Sequence, residues 1–228
     1  MSTWAFLGDS VTAAGRVTTA PDDLGRGWVA EVARRLHRLE PGARTVNLGV
    51  SGDRLADVRA RAVTDLRAAG ALVPDVVVTL AVGINDVRRA HLDSDPLDLA
   101  VFAAAYAALL DEVRVAVPGG AVRFVLVEPV LAPLDEVQES WAGEVDRVLD
   151  VVGSAARSTG AVRVGGVQPV LRAGPRETTQ DGFHPTRAGH LILARAWWEA
   201  VAATPGLLPS QRGRWWDRWW RPPSARAH

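Results

Sequence analysis

Residues 75–86 read DVVVTLAVGIND, and this stretch decides the fold class. Its first eight residues form an almost continuous run of β-branched and apolar side chains, typical of a strand that is buried on both faces. The glycine and the polar residues that follow predict a turn where that strand ends. Strands covered on both faces belong to parallel sheets that lie between layers of helices. The stretch therefore indicates an α/β protein.

The same alternation of strand and helix extends outward from this stretch along most of the chain. Short apolar runs bounded by turn residues predict five strands, over residues 4–7, 45–48, 75–82, 122–127 and 161–164. Apolar residues at helical spacing predict helices over residues 29–39, 55–69, 99–113, 137–152 and 187–203. Strands that alternate with helices predict a five-stranded parallel sheet in a three-layer α/β/α fold, because parallel strands need crossover connections.

The composition narrows the chemistry and the partners. The 228 residues carry 26 basic and 26 acidic side chains, so we expect no nucleic-acid partner. Every basic residue is Arg, and without Lys the chain has no phosphate-loop lysine and no Schiff-base lysine. Without Cys it has no thiolate nucleophile and no cysteine zinc site. The histidines have no metal-ligand spacing, so we predict neither a metal nor a cofactor.

Location and domain organisation follow from the apolar segments. The longest strongly apolar run, residues 76–84, is far shorter than the roughly 20 residues of a membrane-spanning helix, so we predict no integral membrane segment. The N-terminus lacks the features of a secretory signal, which favours a cytoplasmic location. We predict one domain over residues 1–203 and a Trp- and Arg-rich tail over residues 204–228.

The tail is predicted to be amphipathic. If residues 211–221 are helical, four tryptophans share one face of the helix. Such a face could pack on the domain, contact a second copy of the chain in a homo-oligomer, cover a ligand pocket as a lid or touch a membrane surface.

Polar residues that follow the predicted strands indicate a catalytic site. Ligands of such sheets bind beyond the carboxyl ends of the strands, where Ser10 follows the first strand. A serine hydroxyl becomes a useful nucleophile only with a base in reach and a third group that orients the base. His184 and Asp181, three residues apart before the last helix, suit these two roles. We therefore predict a catalytic set of Ser10, His184 and Asp181.

An acyl-transfer site also needs hydrogen-bond donors for the oxygen that becomes negative in the transition state. The sequence offers three candidates at the ends of the first three strands: the backbone N–H groups of Ser10 and Gly52, and the side-chain amide of Asn85. Asn suits the task because its amide donates without titrating. We predict that these groups form the oxyanion hole.

Four sequence blocks carry a family resemblance: GDS at 8–10, NLGVSG at 47–52, GIND at 83–86 and DGFHP at 181–185. In this order and at this spacing, they resemble the four blocks of the SGNH, or GDSL-type, hydrolases. The resemblance implies a flavodoxin-like sheet, and it implies the same catalytic and oxyanion roles for the residues named above. The blocks look most like those of the small single-domain esterases, thioesterases and lysophospholipases.

The predicted function is hydrolysis of carboxylic esters or thioesters, with a small-molecule ester or acyl substrate. The family that the chain resembles also holds carbohydrate deacetylases and acyltransferases, and neither fold nor motif chooses among them. Two alternatives stay open at this point. One is acyl transfer to an alcohol at the same site, and the other is a non-catalytic binding protein that uses the Trp-rich tail as its contact surface.

Overall fold

A computed structural model of the protein describes residues 1–20 and 22–208. Within that part of the chain, five strands form one parallel sheet with the order β2-β1-β3-β4-β5. Their bounds are β1 Thr3–Gly8, β2 Arg44–Gly49, β3 Val76–Ala81, β4 Val122–Val127 and β5 Val162–Val164. Each strand lies where the apolar runs predicted it, so the five-stranded parallel sheet is confirmed.

Helices connect the strands in the same described part of the chain. They are α1 Ser10–Ala13, α2 Trp28–Leu39, α3 Leu55–Ala68, α4 Ile84–Asp93, α5 Leu99–Ala116, α6 Glu136–Ser140, α7 Ala142–Thr159, α8 Val167–Arg172, α9 Pro175–Thr178 and α10 Arg187–Ala202, with a 3-10 turn at Pro118–Gly120. Side chains cap several of them. At the start of α10, for example, the Thr186 hydroxyl accepts a hydrogen bond from the backbone N–H of Gly189.

Successive side chains along each strand point to opposite faces of the sheet, and each face packs against its own apolar layer. From β1, Ala5 and Leu7 pack with α3, α5 and α7, whereas Trp4 and Phe6 pack with α2 and α10 on the opposite face. The one polar side chain in the middle of β3, Thr79, accepts a hydrogen bond of 3.1 Å from the Trp197 indole N–H. Both faces of the sheet are therefore covered, as the continuous apolar run of β3 predicts.

The register of the three neighbouring strands positions the functional loops. Gly8, the last residue of β1, pairs with Gly49 at the end of β2 and with Ala81 at the end of β3. These strand ends therefore lie side by side at one edge of the sheet. The loops that leave them carry Ser10, Gly52 and Asn85, so three of the predicted site residues start from one row of the sheet.

Two helical segments differ from the prediction. Residues 137–152 were expected in one helix, but α6 ends at Ser140 and α7 begins at Ala142 after Trp141, which is buried. Arg88, Arg89 and His91 follow the GIND block, where the apolar spacing predicted no helix, and they lie on α4. That helix forms because its first turn buries Ile84 and Val87 against the core, a tertiary contact that a short polar segment does not reveal.

The predicted division at residue 203 and the role of the tail stay predictions. The Trp-rich segment over residues 211–221 lies outside the described residues. Along residues 1–20 and 22–208, none of the helices combines the length and the apolar character needed to cross a membrane.

Candidate active site

Ser10 stands at the first turn after β1. Gly8 has a φ of +156°, and a Cβ there would collide with the carbonyl oxygen of Ala81, so the chain needs glycine to leave the sheet at this point. The Asp9 side chain then accepts a hydrogen bond of 2.9 Å from the backbone N–H of Val11 and starts α1. Ser10 is thereby fixed as the first residue of a helical turn at the sheet edge.

The structure brings the predicted serine, histidine and aspartate together. The Ser10 Oγ lies 2.8 Å from Nε2 of His184, although 174 positions separate the two residues in the chain. Nδ1 of His184 lies 2.7 Å from Oδ2 of Asp181, and Oδ1 of the same carboxylate accepts the backbone N–H of His184 at 2.9 Å. Because a carboxylate only accepts, the Nδ1 proton points to Asp181 and the Nε2 lone pair faces the serine hydroxyl.

The turn that carries His184 is closed by hydrogen bonds within residues 179–185. The backbone N–H of Gln180 donates to the His184 carbonyl at 2.8 Å, and Thr179 and Pro185 form an isolated antiparallel bridge. From outside the turn, the Gln138 amide on α6 donates to the Asp181 carbonyl at 2.7 Å. Gln138 was missed by sequence reasoning, because a glutamine on a short helix carries no local signal of this contact.

Gly52 lies in the loop after β2 and presents a free backbone N–H. Its φ is +88°, and no atom lies within 4 Å of the position that a Cβ would occupy. The backbone N–H groups of Ser10 and Gly52 donate to no other group among the described residues. Both donors are therefore open for an oxygen that is not part of this chain.

Asn85 is buried in the first turn of α4 and uses one of its amide hydrogens internally. Its Nδ2 donates to the backbone carbonyl of Asp53, the residue after Gly52, at 3.0 Å. The second Nδ2 hydrogen has no partner among the described residues. The carboxylate of the next residue, Asp86, accepts the backbone N–H of Leu55 at 3.1 Å and thereby links the first turn of α4 to the start of α3.

Asn47 holds the strand-end loops from inside the protein. Its side chain is fully buried, and its Nδ2 donates to the carbonyls of Thr12 and Leu24, both at 2.9 Å. Its Oδ1 accepts the backbone N–H of Gly49 at 2.9 Å. One amide therefore joins the end of β2 to α1 and to the segment at Leu24.

Asp9, which precedes Ser10 in the chain, and Asp181, which is hydrogen-bonded to His184, differ in the direction of their pKa shifts. Burial raises the pKa of Asp9 to about 7, with smaller raising contributions from Asp86 and Asp53. Burial also favours the neutral form of Asp181, but hydrogen bonds from the side chain and backbone of His184 outweigh it, so the pKa of Asp181 lies below its usual value. Asp181 is therefore the carboxylate that is ionised beside the histidine.

A second imidazole, His190, stands one turn into α10. Its Nδ1 accepts the backbone N–H of Trp28 at 3.4 Å, at the start of α2. Burial, with a smaller effect of His184, lowers the pKa of His190 to about 4. His190 is thus neutral at physiological pH and adds no positive charge beside His184.

A broad cleft of about 910 Å³ opens beside Ser10 and His184. Its lining includes seven charged or polar side chains besides these two: Arg26, Glu31, Arg34, Ser51, Gln180, Arg187 and His190. A second groove of about 400 Å³ is lined by Gly52, Arg54, Asn85, Arg88, Arg89 and Leu92. Ser10 and His184 line the first depression, and Gly52 and Asn85 line the second. Over residues 1–20 and 22–208, the His, Asp and Glu side chains form no group of three that could hold a metal ion.

Comparison with known proteins agrees with this architecture. An acetylxylan esterase from Geobacillus stearothermophilus is 32% identical over 205 residues, which cover 84% of this chain and 90% of that enzyme. The crystal structure of a catalytic mutant of an acetylxylan esterase from the same organism matches with a TM-score of 0.75 at 28% identity, covering 92% of this chain and 97% of that chain. An α/β hydrolase from the Lake Arreo metagenome matches with a TM-score of 0.70 at 28% identity, over 87% and 94% of the two chains.

The fold and the similar proteins indicate the same class, an esterase with an α/β fold. A family model described as the GDSL-like lipase/acylhydrolase family matches residues 6–192. The chain belongs to this family, which confirms the resemblance seen in the four sequence blocks.

Proposed function

We propose that the protein hydrolyses carboxylic esters through an acyl-enzyme formed on Ser10, with His184 as base and Asp181 as its orienting carboxylate. The observation that carries the proposal is the continuous chain of two hydrogen bonds, 2.8 Å from Ser10 to His184 and 2.7 Å from His184 to Asp181. Structures of the Geobacillus esterase include catalytic mutants of a serine, an aspartate and a histidine, with the aspartate three positions before the histidine. Asp181 and His184 have the same spacing.

The first half of the reaction forms the acyl-enzyme. Ser10 Oγ attacks the carbonyl carbon while its proton passes to Nε2 of His184, and Asp181 stabilises the imidazolium. The carbonyl oxygen becomes negative and accepts hydrogen bonds from the N–H groups of Ser10 and Gly52 and from Asn85 Nδ2. His184 then gives the proton to the alcohol oxygen as the carbon–oxygen bond breaks.

The second half repeats these steps with water. A water molecule attacks the acyl carbon, His184 takes one of its protons, and the same three donors hold the oxyanion again. The proton returns to Ser10 Oγ as the carboxylic acid leaves. A thioester would follow the same course, with a thiol as the leaving group.

We propose acetyl esters of hydroxyl-rich alcohols, such as acetylated carbohydrates, as the substrate class. The cleft next to Ser10 supports this proposal, because its rim of arginines, Glu31 and Gln180 offers hydrogen bonds to hydroxyl groups. The acetylxylan esterase at 32% identity supports it as well.

Replacement of Ser10 tests this function. Hydrolysis of p-nitrophenyl acetate, butyrate and octanoate, and acetate release from acetylated xylo-oligosaccharides, would be measured for the wild type, Ser10→Ala and Ser158→Ala. Ser158 is exposed on α7 and bonds only to its own helix, so it controls for loss of a serine hydroxyl. Ser10→Ala is expected to lower kcat/KM at least ~10³-fold, and Ser158→Ala to leave it unchanged.

Three outcomes would count against parts of the proposal. Equal activity of wild type and Ser10→Ala would remove Ser10 as the nucleophile. A preference for octanoate over acetate would contradict the acetyl substrate class while keeping the serine mechanism. Hydrolysis of an acetyl thioester would be measured by the release of its thiol. If its kcat/KM is far above that for the oxygen esters, thioesters are the better substrates.

A further inference from the structure

Arg61, on α3, is the most heavily bonded side chain near the site that the proposed mechanism does not use. Its side chain is only 20% exposed. Nε donates to Asp53 Oδ2 at 2.6 Å, and Nη1 donates to the Leu48 carbonyl and to Asp65 Oδ2, both at 2.7 Å. Nη2 donates to the Gly8 carbonyl at 3.1 Å. A single side chain thus makes four hydrogen bonds, two of them to strand-end carbonyls.

The partners of Arg61 are the segments that carry the reacting groups. Gly8 is the last residue of β1, two positions before the nucleophile. Leu48 lies at the end of β2, and Asp53 directly follows the oxyanion donor Gly52. The guanidinium therefore joins the start of the nucleophile turn to both ends of the loop that presents the Gly52 N–H.

The link continues from Asp53 to the third oxyanion donor. The side chain of Asp53 is fixed by Arg61, and its backbone carbonyl accepts one Nδ2 hydrogen of Asn85. Engaging that hydrogen fixes the plane of the Asn85 amide, and thereby the direction of the second hydrogen. The path from Arg61 through Asp53 thus reaches Asn85, and Arg61 itself lines neither of the two depressions described above.

We propose that Arg61 is a positioning residue that sets the oxyanion donors Gly52 and Asn85 relative to Ser10. The inference rests on the proposed function of these groups. Because this chain uses Arg at all 26 basic positions, the residue type alone indicates nothing. The positioning role is indicated by the set of contacts, because only a planar fork of five donors can reach two carboxylates and two backbone carbonyls at once.

The proposal predicts an effect on kcat more than on KM. Oxyanion donors act on charge that develops in the transition state, and a displacement of ~1 Å costs roughly 10²-fold in rate. Arg61→Lys keeps the positive charge but loses the fork. We expect it to lower kcat for p-nitrophenyl acetate by about 10- to 100-fold, with KM changed less than about threefold.

The matched control is Arg59→Lys on the same helix. Arg59 is bonded to Glu112 on α5 and touches none of the strand-end loops. The kcat of the Arg59→Lys variant is therefore expected to equal that of the wild type. Thermal unfolding of all variants would be recorded in parallel, and rates would be expressed per folded molecule. A merely structural role of Arg61 predicts a lower unfolding temperature with an unchanged rate per folded molecule.

A double-mutant cycle with Asn85→Ala tests the path through Asp53. If Arg61 acts through Asn85, the double variant is expected to be about as slow as the slower single variant. If the loss of kcat in the double variant equals the product of the two single losses, Arg61 does not act through Asn85. An unchanged kcat of folded Arg61→Lys would overturn the proposal as a whole. If Arg61→Lys does not fold, Asp53→Asn serves the same cycle, because it alters the bond to Arg61 and leaves the bonds to Leu48, Gly8 and Asp65.

A second readout keeps this inference separate from the proposed function. Inactivation by diethyl p-nitrophenyl phosphate needs the serine and the oxyanion donors but no ester substrate. If Ser10→Ala is not phosphorylated and Arg61→Lys is phosphorylated at the wild-type rate, only the role of Arg61 fails. If Ser10→Ala is phosphorylated like the wild type, the proposed function fails first.

Discussion

Two regions of the site are built in opposite ways. The strand-end region, residues 8–10, 47–53 and 83–86, is held by buried hydrogen bonds that join distant segments, as in the fully buried Asn47. The histidine turn, residues 179–185, is held chiefly by bonds between near neighbours, and the side chains of Asp181 and His184 are 47% and 37% exposed. The difference indicates that activity and stability are coupled in the first region and separable in the second.

The largest expected effect comes from Asp181→Asn in the histidine turn. The amide keeps the shape of the side chain but removes the negative charge that orients and stabilises the imidazolium, so kcat is expected to fall roughly 10²- to 10⁴-fold. The half-exposed position predicts a change in unfolding free energy of only about 0.5 kcal/mol. Steady-state kinetics and thermal unfolding would measure both. A large loss of stability in this variant would show that the turn is coupled to the fold after all.

Asn47→Ala is the matching change in the strand-end region. It leaves two carbonyls and one N–H without their buried partner, so the free energy of unfolding is expected to fall by about 2–4 kcal/mol. Urea unfolding would measure the loss. Asn47→Asp keeps the acceptor for Gly49 but removes the donors and buries a charge, so it is expected to be at least as unstable. A variant as stable as the wild type would remove the contrast between the two regions.

The smallest expected effect is the pH dependence contributed by Asp9. Because burial raises its pKa from 3.8 to about 7, the folded state binds this proton more tightly than the unfolded state. Its contribution to stability is therefore present below about pH 4 and is lost as the pH rises through 7. Asp86, whose pKa burial raises to about 6, contributes with the same sign.

Asp9→Asn tests this contribution. The amide oxygen can still accept the Val11 N–H, but the side chain no longer titrates. Relative to the wild type, the variant is expected to gain about 1–3 kcal/mol of stability between pH 4 and pH 8. Denaturant unfolding at several pH values would measure it, and parallel curves for the two proteins would contradict the assignment.

The placement of the proposed site residues was easier to predict from the sequence than the residues that hold them in position. Ser10, Gly52 and Asn85 follow strands, so periodicity and turn chemistry place them at the sheet edge. Asp181 and His184 are close in the chain, and their contact is local. For these residues, short-range patterns contain the necessary information.

The supporting residues were beyond such patterns because their partners are far along the chain. Arg61 bonds to a carbonyl 53 positions away, and Gln138 to one 43 positions away. Nothing in the sequence near Arg61 distinguishes it from Arg59, which forms an outward ion pair. The helical state of α4 was missed for a related reason, since its stability comes from packing on a core formed by other segments.

The alignment of Gly8, Gly49 and Ala81 in one row has a consequence for how the protein is made. The site needs three strands in register and also the histidine turn, in which His184 is synthesised 174 residues after Ser10. Contacts of such sequence separation form late in folding, because the chain entropy lost in closing long loops is recovered only when the distant parts meet. Esterase activity should therefore return during refolding only when the whole domain is complete. A nascent chain that still lacks the histidine turn should be inactive.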